Sequence, residues 1–389
     1  MIFLDNNATT EVLPEVKEAI LRTLNLGPAN PSSPHSAGDL ARQVVAASRD
    51  SVAQLIGASS EEIFFTSSGT EANNWALNLV LARPNRHLLI TPIEHESVLR
   101  KAEYLAAQGV TFEELPVDQN GIVTEDAFPL INEDVGLVSV QWVNNITGVI
   151  QPIERISSLC RERGVLFHTD AAQAVGKLYI DVRKNTVNYL TFTGHKIHGP
   201  MGIGVLYRRL DSQISPLLAG GIQESGQRPG SENLLGIAGI AAAAQIREKR
   251  LFATQVFLTN MRDHFESQIL ARCPGTCVNT NPLIARVCNT TNIRFPDVEG
   301  EALLAGLIRA DICCSQGSAC TSQIPEPSHT LLAMGMSHEA AYQSIRFSFS
   351  ELNTMDEVEQ AVGIIASEYR RVKQSSGKGD SYRTAGSVG

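Results

Sequence analysis

Short apolar runs alternate with helical patterns through the first two-thirds of this 389-residue chain, and that alternation leaves few folds open. Residues 63–65, 87–90, 136–143, 165–168 and 189–192 read as strands, and 71–81 reads as the helix after the first of them. Strands apolar along their whole length are buried on both faces. A helix between successive strands makes them parallel. The expectation is an α/β fold, a mostly parallel sheet covered by helices on both sides. Past about residue 250 the pattern changes: 289–294, 312–314 and 344–350 predict strands of a smaller α+β unit. A chain of this length is expected to divide into two units. Residues 374–389 have almost no apolar content and predict a disordered tail.

The charge balance narrows the class of partner. A formal net charge of −9, with no basic cluster to offset it, argues against nucleic acid and against an anionic membrane. The first residues, Met1-Ile2-Phe3-Leu4-Asp5, lack the basic and apolar regions of a signal peptide, and residues 237–246 are too short to span a bilayer. Seven cysteines in a long chain, with no small-secreted-domain spacing, predict reduced thiols and a cytoplasmic protein. Cys273 and Cys277 have no second pair or nearby histidine, so no metal site is expected.

Polar residues cluster just after the strand ends: 66–70, Glu94-His95, Asn144-Asn145, Asp170 and 193–196. Ligands of open α/β sheets bind at the carboxyl ends of strands, so these clusters predict one site. Ser68-Gly69-Thr70, between strand and helix, can cradle a phosphate, or it can be an ordinary turn with an N-cap. Asp170 can pair with a protonated pyridine nitrogen or cap a helix beginning near Ala171. Lys196, in Gly194-His195-Lys196, is a candidate to hold a carbonyl cofactor and then act as a base. Arg346 lies inside an apolar strand, where a guanidinium needs an anion: a substrate carboxylate, or a salt bridge within the protein. Cys320 sits among Gly317, Ser318, Ala319 and Thr321, a stretch with few anchors, where a thiol can meet a substrate and carry its cargo away. Cys313 and Cys314 look like strand residues.

Taken in order, these residues resemble the cysteine desulfurases, fold-type I enzymes dependent on pyridoxal 5'-phosphate, and most closely their NifS/IscS-like class. The likeness runs from Leu4-Asp5-Asn6-Asn7-Ala8-Thr9-Thr10 to Ile345-Arg346-Phe347-Ser348. It passes through Thr70-Glu71-Ala72-Asn73-Asn74, Val143-Asn144-Asn145, Gly176-Lys177 and residues 226–231. The resemblance implies a large cofactor domain at 15–250, a small domain formed by 1–14 with 251–373 that carries the Cys320 loop, and a tail at 374–389. It places Lys196 as the cofactor lysine, His95 on the ring and in proton transfer, Asp170 at the ring nitrogen and Gln173 at the ring hydroxyl. Gly69, Thr70, Thr193 and His195 fall at the phosphate. Ser231 matches a hydroxyl lent by the neighbouring subunit, which implies a homodimer. Asn145 and Arg346 match the contacts to the substrate carboxylate, and Cys320 the sulfur acceptor. The implied reaction turns L-cysteine into L-alanine through a persulfide on Cys320. The sulfur then passes to an acceptor protein such as an iron–sulfur scaffold, or toward tRNA and thio-cofactor synthesis. A cystine or cysteine lyase, or a selenocysteine lyase, is the alternative. The chain departs from the family pattern at Gln316, where a serine is usual, at Trp142-Val143 and Ile146-Thr147 around the asparagine pair, and in the tail.

Overall fold

The computed structural model describes residues 1–317 and 327–383, with side chains as far as residue 375. A two-residue strand, β1 (Ile2–Phe3), opens the chain. The main sheet follows with β2 (Ile63–Thr66), β3 (His87–Ile90), β4 (Thr111–Glu114), β5 (Leu137–Ser139), β6 (Leu166–Asp170), β7 (Tyr189–Thr193) and β8 (Gly204–Arg208). Its seven strands run in the order β2-β8-β7-β6-β5-β3-β4. The pairs from β7 through β6, β5 and β3 to β4 are parallel, whereas β8 lies antiparallel to both β2 and β7. Strands β5 and β7 are buried along their whole length, the pattern of a sheet covered on both faces. The edge strand β4, Thr-Phe-Glu-Glu, is exposed throughout, and its carboxylates discourage pairing with another edge.

The sheet's polarity gathers the loops that matter. The carboxyl ends of β2, β3, β5, β6 and β7 lie along one edge, and the turn into β8 enters there. A Cβ on Gly204 would stand 2.4 Å from the Ser68 carbonyl carbon, so only glycine lets β8 pass that close to the start of the helix Gly69–Asn78.

The last third of the chain adds β9 (Cys277–Val278), β10 (Thr290–Arg294), β11 (Ile312–Cys313) and β12 (Ser344–Ser348). Antiparallel β12-β10-β9 form one sheet, and β1 pairs in parallel with β11, so the first residues join the last third of the chain. The helix Leu234–Arg272 runs unbroken through residue 250, where the sequence pattern was expected to divide. It brings Phe265 to 4.9 Å from Phe347 and 5.2 Å from Phe349, ring centre to ring centre. The final helix, Met355–Arg383, passes residue 374, where a disordered tail was expected to begin; residues 384–389 lie outside those described. Extending an existing helix needs no new nucleus, which lets it run on into a weakly helical sequence.

Phe265 is fully buried in the aromatic cluster that ties the long helix to β12. Phe265→Ala should cost about 3–5 kcal/mol, read as a lower urea midpoint by circular dichroism.

Candidate functional site

At the carboxyl edge of the sheet lies a cleft of about 350 Å³, lined by ten of the residues singled out from sequence: Gly69, Thr70, His95, Asn145, Asp170, Gln173, Thr193, His195, Lys196 and Arg346. Nine of them come from the ends of β2, β3, β5, β6 and β7, so the shared edge brings these together, and Arg346 is added from β12 of the other sheet.

Asp170 ends β6 and its carboxylate is pinned from two sides. The Asn73 amide donates to Oδ2 at 2.7 Å and the Ala172 N–H donates to Oδ1 at 2.9 Å. The chain after Asp170 makes turns, not the helix of the capping reading, with the Ala172 N–H on the Asp170 side chain and the Ala171 N–H bonded across to Thr191. Asn73 also donates to Ser97 Oγ at 2.9 Å, tying the helix Gly69–Asn78 to the helix Glu96–Ala106.

His95 caps that second helix: the Ser97 N–H donates to its Nδ1 at 3.1 Å. Burial lowers its pKa, with the Asp170 carboxylate opposing and Lys196 assisting the shift, so the ring favours its neutral form. Its neighbour Glu94 has no exposure. Oε1 accepts from Thr91 Oγ1 at 2.6 Å and from the Gln141 N–H at 2.8 Å, while Oε2 has no partner. Burial, reinforced by Asp170, pushes its carboxyl up to about 8.

Lys196 follows β7 and donates to the Ala8 carbonyl at 2.6 Å and to that of Asn7. Thr193 lines the cleft and its Oγ1 donates to the Ile203 carbonyl at 2.9 Å, a bond it would exchange to donate to a ligand. His195, driven down to about 4 by burial and by Lys196, is a neutral ring near Thr9. Ser68 Oγ accepts from the Glu71 N–H at 3.1 Å and caps the helix, as the turn reading allowed. The Gly69 and Thr70 N–H groups belong to its first turn, which leaves such donors without helical acceptors.

Arg346 combines both of its readings. It is 2 % exposed, donates from Nη2 to Asp5 at 2.5 Å and from Nη1 to the Asn145 carbonyl at 3.1 Å, yet it lines the cleft and its Nε has no partner. Asp5 also accepts from Ser315 Oγ at 2.9 Å.

Two residues stand apart. Ser231 is exposed and lines a neighbouring hollow that shares Gly202 with the cleft. Cys320, within residues 318–326, lies outside the described residues. On either side of that stretch, Ser315 pairs with Arg346 through two backbone hydrogen bonds, and His329 Nε2 lies 2.9 Å from the Glu94 carbonyl oxygen. Cys313 and Cys314 are half-buried, and burial raises both thiols.

Sequence reading passed over Asn73, Gln141 and the backbone of Asn7 and Ala8, all of which line the cleft or hold its residues. The only signal for Asn7, Ala8 and Asn73 was membership of the motifs at 4–10 and 70–74, and Gln141 had none. The cleft suits a pyridoxal phosphate: it has the volume of a small-molecule pocket, unpaired helix N–H donors for a phosphate, a fixed carboxylate for a ring nitrogen and a lysine on its wall. Among the described residues, no three His, Cys, Asp or Glu side chains gather as a metal site requires, and no helix is long and apolar enough to cross a membrane.

Glu94 gives this site a testable pH signature. Its carboxyl ionises at 4.5 in an unfolded chain and near 8 in the fold, so the folded state loses relative stability as pH rises through that window. In Glu94→Gln the loss should vanish. Urea unfolding should show the variant gaining on the parent between pH 5 and pH 8.

Known proteins are similar to this chain over most of its length. Residues 2–361 match the model of the family described as Aminotransferase class-V. A protein named cysteine desulfurase from Nostoc sp. is 41% identical over 379 residues, covering 97% of this chain and 94% of that one. Cysteine desulfurase NifS of Azotobacter vinelandii is 42% identical over 365 residues, covering 93% and 90%. A solved structure titled as a NifS-like protein superimposes with a TM-score of 0.88 at 34% identity, covering 94% of this chain and 98% of that one.

Proposed function

We propose a division of labour among these residues on the premise that the chain belongs to the class-V aminotransferase family and, within it, to the cysteine desulfurases. It is a pyridoxal-phosphate-dependent enzyme that takes the sulfur of L-cysteine and leaves L-alanine. The observation that carries the assignment of roles is the convergence of Lys196, Asp170, His95 and Arg346 on one cleft.

When bound, the cofactor supplies an electron sink for the pair released at the substrate Cα. Lys196 holds it covalently at rest and serves as the base that takes the Cα proton. Asp170, fixed by Asn73 and the Ala172 N–H, holds the protonated ring nitrogen. Gly69, Thr70, Thr193 and His195 hold the phosphate, and Gln173 the ring hydroxyl. Arg346 and Asn145 hold the substrate carboxylate. The unpaired Nε of Arg346 marks donor capacity that Asp5 and the Asn145 carbonyl leave unused. His95, kept neutral by burial, can cover the ring and accept a proton.

Cys320 receives the sulfur. Its thiolate attacks the substrate sulfur; an S–S bond forms as the Cβ–S bond breaks, and the electron pair stays with the carbon skeleton. That skeleton takes up protons and leaves as alanine, so no outside oxidant is needed. An ordinary thiol is only a few per cent ionised at neutral pH, so a proton acceptor such as His95 helps this step. The persulfide then passes its sulfur to an acceptor protein of iron–sulfur, tRNA or thio-cofactor synthesis in the cytoplasm. Ser231 lies outside the cleft of its own chain and serves that of a second copy, which makes the working unit a homodimer. The large domain is 15–250 and the small domain 1–14 with 251–373, with the long helix shared between them.

The purified protein, given L-cysteine and a reductant, should release alanine and sulfide in equal amounts. Cys320→Ser should keep its yellow cofactor and lose roughly 100-fold or more in turnover. Pyruvate as the product would identify a lyase. Alanine at the parental rate from Cys320→Ser would overturn the persulfide step.

A further inference from the structure

One enclosed cation has no part in the reaction as described. Lys177 is 8 % exposed. It follows Gly176, whose φ of +73° suits glycine, and a Cβ there would meet Arg247 Cγ and Ile197 Cγ2 at 2.9 Å. That turn delivers the lysine nitrogen to Gln173, where it donates to Oε1. On the other end of the same amide, Gln173 Nε2 donates to the Asn7 carbonyl at 3.0 Å. The two ends of a glutamine amide can exchange places, and neighbours decide between them. Here both neighbours give the same answer: a lysine nitrogen demands the oxygen, and a backbone carbonyl demands the NH₂. One hydrogen of that NH₂ goes to Asn7, and Gln173 lines the cleft. The second hydrogen is therefore what the amide offers to a ligand.

We propose that Lys177 is the positioning residue that locks Gln173 as a hydrogen-bond donor to the ring oxygen of the cofactor. This rests on the assignment of Gln173 to that oxygen given above. The lock is firmest in the protonated amine, which can only donate, whereas a neutral amine can also accept. Burial draws the Lys177 amine down to about 7, and Lys196, Arg346 and Arg247 add like charge to that effect. With an apolar side chain there, Oε1 loses its donor and the Asn7 carbonyl alone is left to orient the amide.

The test uses the holoenzyme and reads the pH midpoint of the bound cofactor's colour change. A donor to the ring oxygen favours its deprotonated form. Lys177→Met, which keeps chain length and drops the donor, should move that midpoint upward by roughly 0.5–1 unit. In a Gln173→Leu background the same substitution should leave the midpoint where Gln173→Leu alone puts it, because Lys177 acts through the amide. Lys177→Arg, which retains a donor, should hold the parental midpoint and provides the check should Lys177→Met fold poorly. An equal shift in both backgrounds, or none in either, overturns the proposal. If Gln173→Leu by itself moves nothing, the assignment of Gln173 fails first and the proposal goes with it.

Discussion

The cleft depends on a short stretch of backbone that approaches it from the wrong end of the chain. Asn7 and Ala8 present carbonyl oxygens to Lys196, and the Asn7 carbonyl also takes Gln173. The Asn7 side chain donates to the Asn145 carbonyl at 3.0 Å and to Thr290 Oγ1 at 2.9 Å, and Asp5 holds Arg346. Buried polar groups must find partners or cost stability. Each of these bonds therefore anchors the N-terminal segment and aims a cleft residue in the same act. Pairing of β1 with β11 holds the segment at its start, and the Thr10 N–H bonds to the His195 carbonyl at its end. The cleft cannot form until residues far apart in sequence have come together.

Charge in the cleft is edited by burial. Glu94 and His95 are neighbours in sequence, and desolvation pushes both toward their neutral forms, the acid up and the imidazole down. His195 is driven the same way. Among the described groups, this leaves Asp170, Lys196 and Arg346 as the principal charges facing the space. A negative ring substituent or carboxylate then meets cations, and a protonated nitrogen meets the one carboxylate held in place for it. Two neutral histidines beside these charges can take protons without first surrendering one.

Much of this was visible in the pattern of residues. Eight of the strands stand close to where apolar runs placed them, and polar clusters after five of those runs marked the edge that carries the cleft. Strand β8 was missed, and with it the break in parallel order, because periodicity reports burial and carries no direction. The turn at Asp170 was read as a possible helix because an aspartate suits either a helix cap or a turn. The carbonyls of Asn7 and Ala8 had no signature, since every residue has a carbonyl. Asn73 and Lys177 stood inside motifs without a role, for nothing local said which carboxylate or amide each would reach.

The sequence by itself determined the class of fold and the list of reactive side chains, because hydrophobic period and residue chemistry are properties of short segments. Only the tertiary structure decided which of those side chains share a space, which way Gln173 faces, and that Arg346 meets Asp5 while keeping a donor in reserve. Those are matters of distance and burial, most of them between groups far apart in the chain. They exist only once the first strand has joined the last third of the chain.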